Sequence, residues 1–337
     1  MAGIKDVAER AGLSIATVSR ALSGRGHVSP GSRERARAAA AELGFVPSYQ
    51  ASSLASGRTR NIGLVVPTVR RWYFASVVEG VSAALLDAGY DLTLYNITEG
   101  AVRRRSILQD FLLRKRVDAV IAVALALTED EIGQMLAIQR PLVGIGGPLP
   151  GAATIRIDDH GLAEAAVNHL IRLGHSRIAH LTGDSVYEQD FKIPRTRRAG
   201  YEQAMKAAGL PVRRSWVVTA DFTTEGAYAV ARDLLGGTAE RPTAVFAASD
   251  EMAVGAILAA RDFGLRVPED LSVIGMDGHE LGELFGLTTI DQDPRGQGAL
   301  AVRLLLEGLD GGTDGAVANT EYPTRFVVRR STAVPPA

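Results

Sequence analysis

Cysteine is absent from the 337-residue chain, which excludes a disulfide framework, thiol catalysis and thiolate metal sites. Long apolar runs are missing as well. The longest, Ala119 to Leu127, is nine residues, too short to cross a bilayer. The opening MAGIKDVAERAG is charged from Lys5 onward and has neither the apolar stretch nor the small-residue cleavage site of a secretory signal, so a cytoplasmic location is expected. Enzyme signatures are scarce: there is no GxxxxGK[ST] loop, HExxH or GxSxG. Gly144-Ile145-Gly146-Gly147 resembles part of a nucleotide fingerprint, but Pro148 and Pro150 forbid the helix that would hold a phosphate, so it reads as a strand-ending turn. The six histidines show no paired metal spacing, and His175 and His180 read as structural. No cofactor, metal or catalytic group is expected.

What is present is a chain of about two domains by length, with 46% hydrophobic and 22% charged residues, enough to bury a sizeable core. The net charge of −1 conceals an asymmetry. Residues 1–60 carry nine Lys/Arg against four acids, +5, and the remainder carries −6. Such a split fits a polyanion-binding head on an acidic body.

The first 46 residues read as three short helices. Ile4, Val7, Ala8 and Ala11 fall at helical spacing and Gly12 closes that helix. Ser14 is an N-cap for a second helix, Ile15 to Leu22, and Ser29-Pro30 opens a third that runs to Gly44. Helix, glycine turn, helix within about twenty residues is a helix-turn-helix pattern. Residues 47–57 are small and polar with a single large apolar residue, Leu54, and read as a linker. From Asn61 strands and helices alternate: 62–66, 90–95, 119–123, 142–145, 177–181, 216–219, 244–247 and 272–275 are the strands. That grammar implies parallel sheets with helices on both faces, in two lobes separated by a pause at 151–159, and with the last strands, near 320–328, shared between lobes.

Ligands of open parallel sheets bind beyond the carboxyl ends of the strands. The rule selects Pro67, Thr68 and Trp72-Tyr73-Phe74, then Ala124, Gly183 and Asp184, Ser249-Asp250, and Asp277, with Arg195, Arg197 and Arg198 opening a helix after a long loop. Carboxylates, guanidiniums and aromatic faces in one cleft suit a polyhydroxylated ligand. The alternative role for each acid is a cap on the following helix, above all for Asp250.

The segments Ile4-Lys5-Asp6-Val7-Ala8, Ala16-Thr17-Val18-Ser19-Arg20-Ala21-Leu22 and Leu43-Gly44-Phe45-Val46-Pro47 resemble the LacI/GalR family of ligand-responsive transcription regulators. The likeness recurs at Ser53-Leu54, Leu173-Gly174-His175, Arg197 with Gly200-Tyr201, Ser249-Asp250-Glu251-Met252, Gly275-Met276-Asp277 and Leu287-Thr288-Thr289-Ile290, and so spans nearly the whole chain. The resemblance implies an N-terminal three-helix helix-turn-helix domain (1–46) and a hinge helix (47–60). It also implies an α/β periplasmic-binding-protein-like core of two parallel-sheet lobes, 61–159 with 291–320 and 160–290 with 321–333. It further implies a homodimeric repressor on a pseudo-palindromic DNA operator, governed by a small-molecule effector. By position, Ile15, Ala16 and Arg20 would face base edges, Thr17, Ser19 and Ser29 would serve phosphates, and Leu54 would wedge into the minor groove. Tyr73, Phe74, Arg197, Asp250 and Asp277 match effector-pocket positions, with Gln292 and Asp159 beside them. Arg71-Trp72-Tyr73-Phe74 departs from the Asn-Pro-Phe-Phe that the family often carries there. The expected effector is a carbohydrate; the alternatives are a purine or other metabolite acting as corepressor. A solute-binding transport component and a sugar- or nucleotide-modifying enzyme are rival classes. The basic head argues against the first, and the lack of a nucleophile–base constellation against the second.

Overall fold

The computed structural model describes residues 2–23, 27–45, 58–97, 117–125, 127–137, 140–147, 149–183, 193–237, 240–310 and 319–336. It divides into a unit of residues 1–60 and a unit of residues 61–337. The smaller unit holds α1 (Ile4–Ala11), α2 (Ile15–Ser23) and α3 (Pro30–Glu42). Their ends follow from local chemistry. Asp6 accepts the Gly3 N–H at 2.7 Å, and Gly12 turns left-handed at φ 63°. The Ser14 hydroxyl accepts the Thr17 N–H at 3.1 Å, and Ser29 caps α3 by accepting the Ser32 N–H at 3.3 Å with Pro30 next to it. Ala8, Ala11, Ala21, Ala36, Ala39 and Ala40 pack around Val7 and Val18. Small side chains let three short helices approach closely enough to share one core.

The larger unit begins with β1 (Asn61–Val66), α4 (Trp72–Asp87), β2 (Asp91–Asn96), β3 (Ala119–Val123), α5 (Glu129–Ala137), β4 (Leu142–Ile145) and β5 (Ala153–Arg156). It continues with α6 (Asp159–Arg172), β6 (Ile178–Gly183), α7 (Ile193–Ala207), β7 (Val217–Ala220), α8 (Thr224–Gly236), β8 (Ala244–Ala247), α9 (Asp250–Asp262) and β9 (Ser272–Ile274). It closes with α10 (Leu281–Leu284), β10 (Thr289–Asp291), α11 (Pro294–Leu309), β11 (Asn319–Glu321) and β12 (Arg325–Val327). One parallel sheet runs β11-β5-β4-β3-β1-β2 and a second runs β7-β6-β8-β9; β10 and β12 form an antiparallel pair. Strands β3 and β4 are buried at every residue, as expected of a sheet covered on both faces.

Helices pack on these sheets in pairs, and glycine sets how close they come. A Cβ at Gly298 of α11 would lie 2.5 Å from the Val77 carbonyl oxygen of α4, and one at Gly80 of α4 would strike the Arg295 carbonyl. The two helices therefore meet backbone to backbone and bury Val77, Val81, Ala301 and Val302 against the first sheet. The chain passes between the lobes after β5, after β10 and after β11.

Two expectations need correction. The supposed pause at 151–159 contains β5, which pairs with both β4 and β11. Trp216 belongs to a 3-10 turn preceding β7 rather than to the strand. Of the final strands, β11 joins the first sheet and β12 pairs with β10.

Candidate functional site

On α2, Val18 and Ala21 turn inward, and Ile15, Ala16, Ser19 and Arg20 are exposed on the opposite face, with Ile15 showing 45% of its surface. An isoleucine so exposed on a well-packed small domain is a side chain without an intramolecular reason to be there. The Arg20 Nε–H bonds the Ala16 carbonyl at 3.2 Å, so the side chain lies along the same face. Thr17 is half-buried, with its hydroxyl 2.8 Å from that of Ser14. Ser29 stays exposed while capping α3. Leu54 lies outside the described residues, as does Asp184.

In the larger unit a cavity opens between the lobes at the carboxyl ends of the strands. Of the effector positions expected from sequence, Tyr73, Phe74, Arg197, Asp277 and Gln292 line it, together with Asp159. Arg197, in the first turns of α7, is its electrostatic centre and is almost wholly buried. Its Nε donates to Asp159 Oδ1 at 2.8 Å, its Nη1 lies 3.9 Å from Asp277 Oδ1, and the same Nη1 donates to the Ala248 carbonyl. Burial alone would lower the pKa of this guanidinium, but Asp159 and Asp277 hold it above the ordinary arginine value. Burial drives the Asp277 carboxyl well above its usual range, opposed by Arg197 and reinforced by Asp250 and Glu251.

From Asp277 a line of amides crosses to the first lobe. Gln292 Nε2 donates to Asp277 Oδ1 at 2.6 Å, Gln297 Nε2 donates to the Gln292 carbonyl at 2.6 Å, and the Tyr73 hydroxyl donates to Gln297 Oε1 at 3.1 Å. Burial first, then Asp159 and Asp277, raise the Tyr73 pKa, so the phenol stays protonated and serves as a donor. Three non-glycine residues on the cavity wall have left-handed or otherwise positive φ: Ala124 (44°), Phe222 (59°) and Asp277 (141°). Such conformations cost about 1–3 kcal/mol each and persist where the surroundings over-determine them, which marks this wall as built for a purpose.

Asp250 requires correction. It does not line the cavity; its Oδ2 accepts the Gly278 and His279 N–H groups at 2.9 and 2.8 Å, and its Oδ1 accepts the Thr289 hydroxyl at 2.7 Å. It is not the helix cap either, since Ser249 takes that role by accepting the Met252 N–H at 3.2 Å. Asp250 holds the turn that presents Asp277. Trp72 also turns from the cavity and stacks on His279, rings 4.5 Å apart, whereas Arg71 lines the cavity and donates to the Asp221 carbonyl across the cleft. Phe222, Glu251, Ser249 and Gln297 line the cavity without having been singled out as effector residues. Phe222 follows β7, so the strand-end rule could have found it. His175 bonds Thr243, Ser272 and the Ala333 carbonyl at 2.9–3.0 Å, and His180 bonds the Phe246 carbonyl at 3.0 Å; both serve packing in the second lobe.

An exposed face on a helix-turn-helix and a buried, strand-end cavity in a two-lobed α/β unit coincide with what sequence comparison finds. Residues 3–48 match the bacterial regulatory proteins of the lacI family, and residues 167–332 match the periplasmic binding protein-like domain. The HTH-type transcriptional repressor PurR of Haemophilus influenzae (strain PittEE) is 34% identical over 98% of this chain and 98% of its own length. The chain belongs to the lacI family. Among solved structures, the transcriptional regulator CelR in complex with cellobiose is 31% identical, with a TM-score of 0.71 over 98% of this chain and 100% of that one. The Lac repressor dimer bound to operator and the anti-inducer ONPF is 27% identical, with a TM-score of 0.85 over 98% of this chain and 99% of that one. This lacI-family chain is a DNA-binding transcriptional repressor, and its relatives are repressors rather than enzymes. No helix among its described residues is long and apolar enough to cross a membrane.

Proposed function

We propose that this repressor works in the cytoplasm as a homodimer whose grip on a pseudo-palindromic operator is set by a carbohydrate bound between the lobes. The observation that carries the carbohydrate reading is the chemistry of the cavity. Asp159 and Asp277 each use only Oδ1 toward protein partners among the described residues, which leaves Oδ2 of each as an acceptor for ligand hydroxyls. Tyr73, Phe74 and Phe222 add aromatic faces for the C–H surface of a sugar ring. The cellobiose complex of CelR supports the same reading. The PurR relatives favour a second one, in which a purine acts as corepressor and Phe222 stacks on the base.

In either case Ile15, Ala16 and Arg20 are the side chains for base edges, with Arg20 able to bond guanine bidentately. Thr17, Ser19 and Ser29 are assigned to phosphates, and Leu54 to the minor groove at the operator centre. Effector binding alters the balance of lobe orientations and hence the fit of both heads. Reversing occupancy from 99:1 to 1:99 requires about 5.5 kcal/mol of differential affinity between the two states. A thermal-shift screen of free sugars, nucleobases and nucleosides separates the readings. Stabilisation by a sugar supports the first; stabilisation by nucleobases alone replaces it with the second.

A further inference from the structure

We infer that Trp72 and His279 form a latch between the lobes, which parts when ligand enters or leaves the cavity and so ties effector occupancy to lobe orientation. The latch deepens the proposed function and rests on its assignment of the cavity as the effector site, though not on the class of ligand.

The stack joins the first residue of α4, in one lobe, to the turn after β9, in the other, at a place where the chain itself does not cross. Ring centroids 4.5 Å apart and planes inclined by 21° make a favourable aromatic pair across the seam. Beside it the Arg71 guanidinium donates to the Asp221 carbonyl across the same cleft. Arg295 bridges Glu79 of α4 at 2.7 Å and Glu280 at 3.4 Å, but these side chains are exposed and such pairs orient more than they bind. One polar group argues against permanent closure. Trp72 Nε1 is buried with no acceptor among the described residues. A buried N–H without an acceptor is costly, and water would satisfy it once the lobes part. Stacking therefore favours the closed seam and the stranded indole N–H favours the open one, an opposition that suits a contact made and broken in use.

Both rings are tied to cavity residues. Trp72 lies between Arg71 and Tyr73, which line the cavity, and His279 follows closely on Asp277, which faces Arg197. The turn from Asp277 to His279 has no slack. Asp250 Oδ2 accepts the Gly278 and His279 N–H groups at 2.9 and 2.8 Å, and a Cβ at Gly278 would strike the Asp291 carboxylate. His279 Nδ1 accepts the Leu281 N–H at 3.0 Å, which fixes the direction of the ring. A ligand that displaces Asp277 thus displaces one face of the stack, and one that displaces Tyr73 displaces the other. Trp72 and His279 are positioning residues that act through these neighbours.

The chain has two tryptophans, so Trp216→Phe leaves Trp72 as the sole emitter in the full protein. Acrylamide quenching of that emission reads the seam. Without ligand it should be weak, and it should rise roughly threefold in Arg71→Ala, which cuts the neighbouring cross-cleft bond, and in Arg197→Ala, which releases Asp277. Neither variant alters the two rings, and Arg71→Ala keeps the test decisive should Arg197→Ala not fold. Cellobiose, ribose, adenosine and guanine then serve as probes in calorimetry and stopped-flow fluorescence. A probe that binds should change the quenching roughly twofold or more. Its dissociation should quicken roughly tenfold in His279→Ala and return to near the native rate in His279→Phe, which restores an aromatic face. Ready quenching of Trp72 in the unliganded protein, quenching unmoved by both arginine variants, or a bound probe that changes neither the quenching nor its dissociation rate in His279→Ala would overturn the latch. Probe binding that is lost in Arg197→Ala without any response of Trp72 removes the latch and leaves the cavity assignment standing. Probe binding that survives Arg197→Ala removes the cavity assignment, and the ligand-free quenching still decides whether the stack holds the lobes.

Discussion

Replacing Arg197 by alanine removes the guanidinium set between Asp159 and Asp277 and leaves both carboxyls without it in a buried wall. At 4 Å and an effective dielectric of 20, a unit-charge pair is worth about 4 kcal/mol, and removing one partner of a buried pair typically destabilises by about 3–5 kcal/mol. The loss is limited by protonation, because Asp277 already sits well above the ordinary carboxylate range through burial and would rise further without Arg197. The sign follows from linkage: a folded state that holds a proton released on unfolding loses stability as pH rises. Arg197→Ala should therefore be destabilised by about 3 kcal/mol at pH 8 and by distinctly less at pH 5.5, as read by urea denaturation at each pH. Operator binding should survive at the higher stability while effector response disappears. A penalty below about 1 kcal/mol, or one identical at the two pH values, would show that these charges are not buried against each other as described.

Other consequences are more local. Arg20→Ala should relax base preference at one position of each half-site by about 1–3 kcal/mol, as measured by operator competition, and leave the thermal stability of the chain unchanged. Gly298→Ala forces a methyl group against the Val77 carbonyl and should lower stability by about 1–3 kcal/mol in denaturant titration, because a backbone neighbour cannot swing aside. Asp250→Ala strands the Gly278 and His279 N–H groups and the Thr289 hydroxyl; a loss of about 2–4 kcal/mol should accompany weaker effector binding in calorimetry, although Asp250 does not line the cavity.

What could be read from the sequence follows from how strongly each element declares itself. The three N-terminal helices carry their own start and stop signals in Ser14, Ser29-Pro30 and Gly12. Strands such as β3 are unbroken apolar runs. β5 and β10 are three or four residues long and half polar, so only their neighbours in the sheet reveal them.

The cavity was legible in outline because strand ends converge by topology, but the direction of each side chain was not. Successive helical residues point about 100° apart. Ser249 caps α9, so Asp250 faces the 278–279 turn and Glu251 faces the cleft; a one-residue difference in the cap would exchange them. Phe222 escaped for a related reason. Its left-handed backbone at φ 59° swings the ring to the cavity from a position where an extended chain would not place it.

The central claim is that ligand in the interlobe cavity governs grip on the operator. Its most direct test is the operator dissociation constant of the purified chain measured with and without a ligand that binds the cavity, side by side with Arg197→Ala. The native protein should show at least a tenfold change and the variant none. A ligand that fills the cavity and leaves operator affinity the same in both would contradict it.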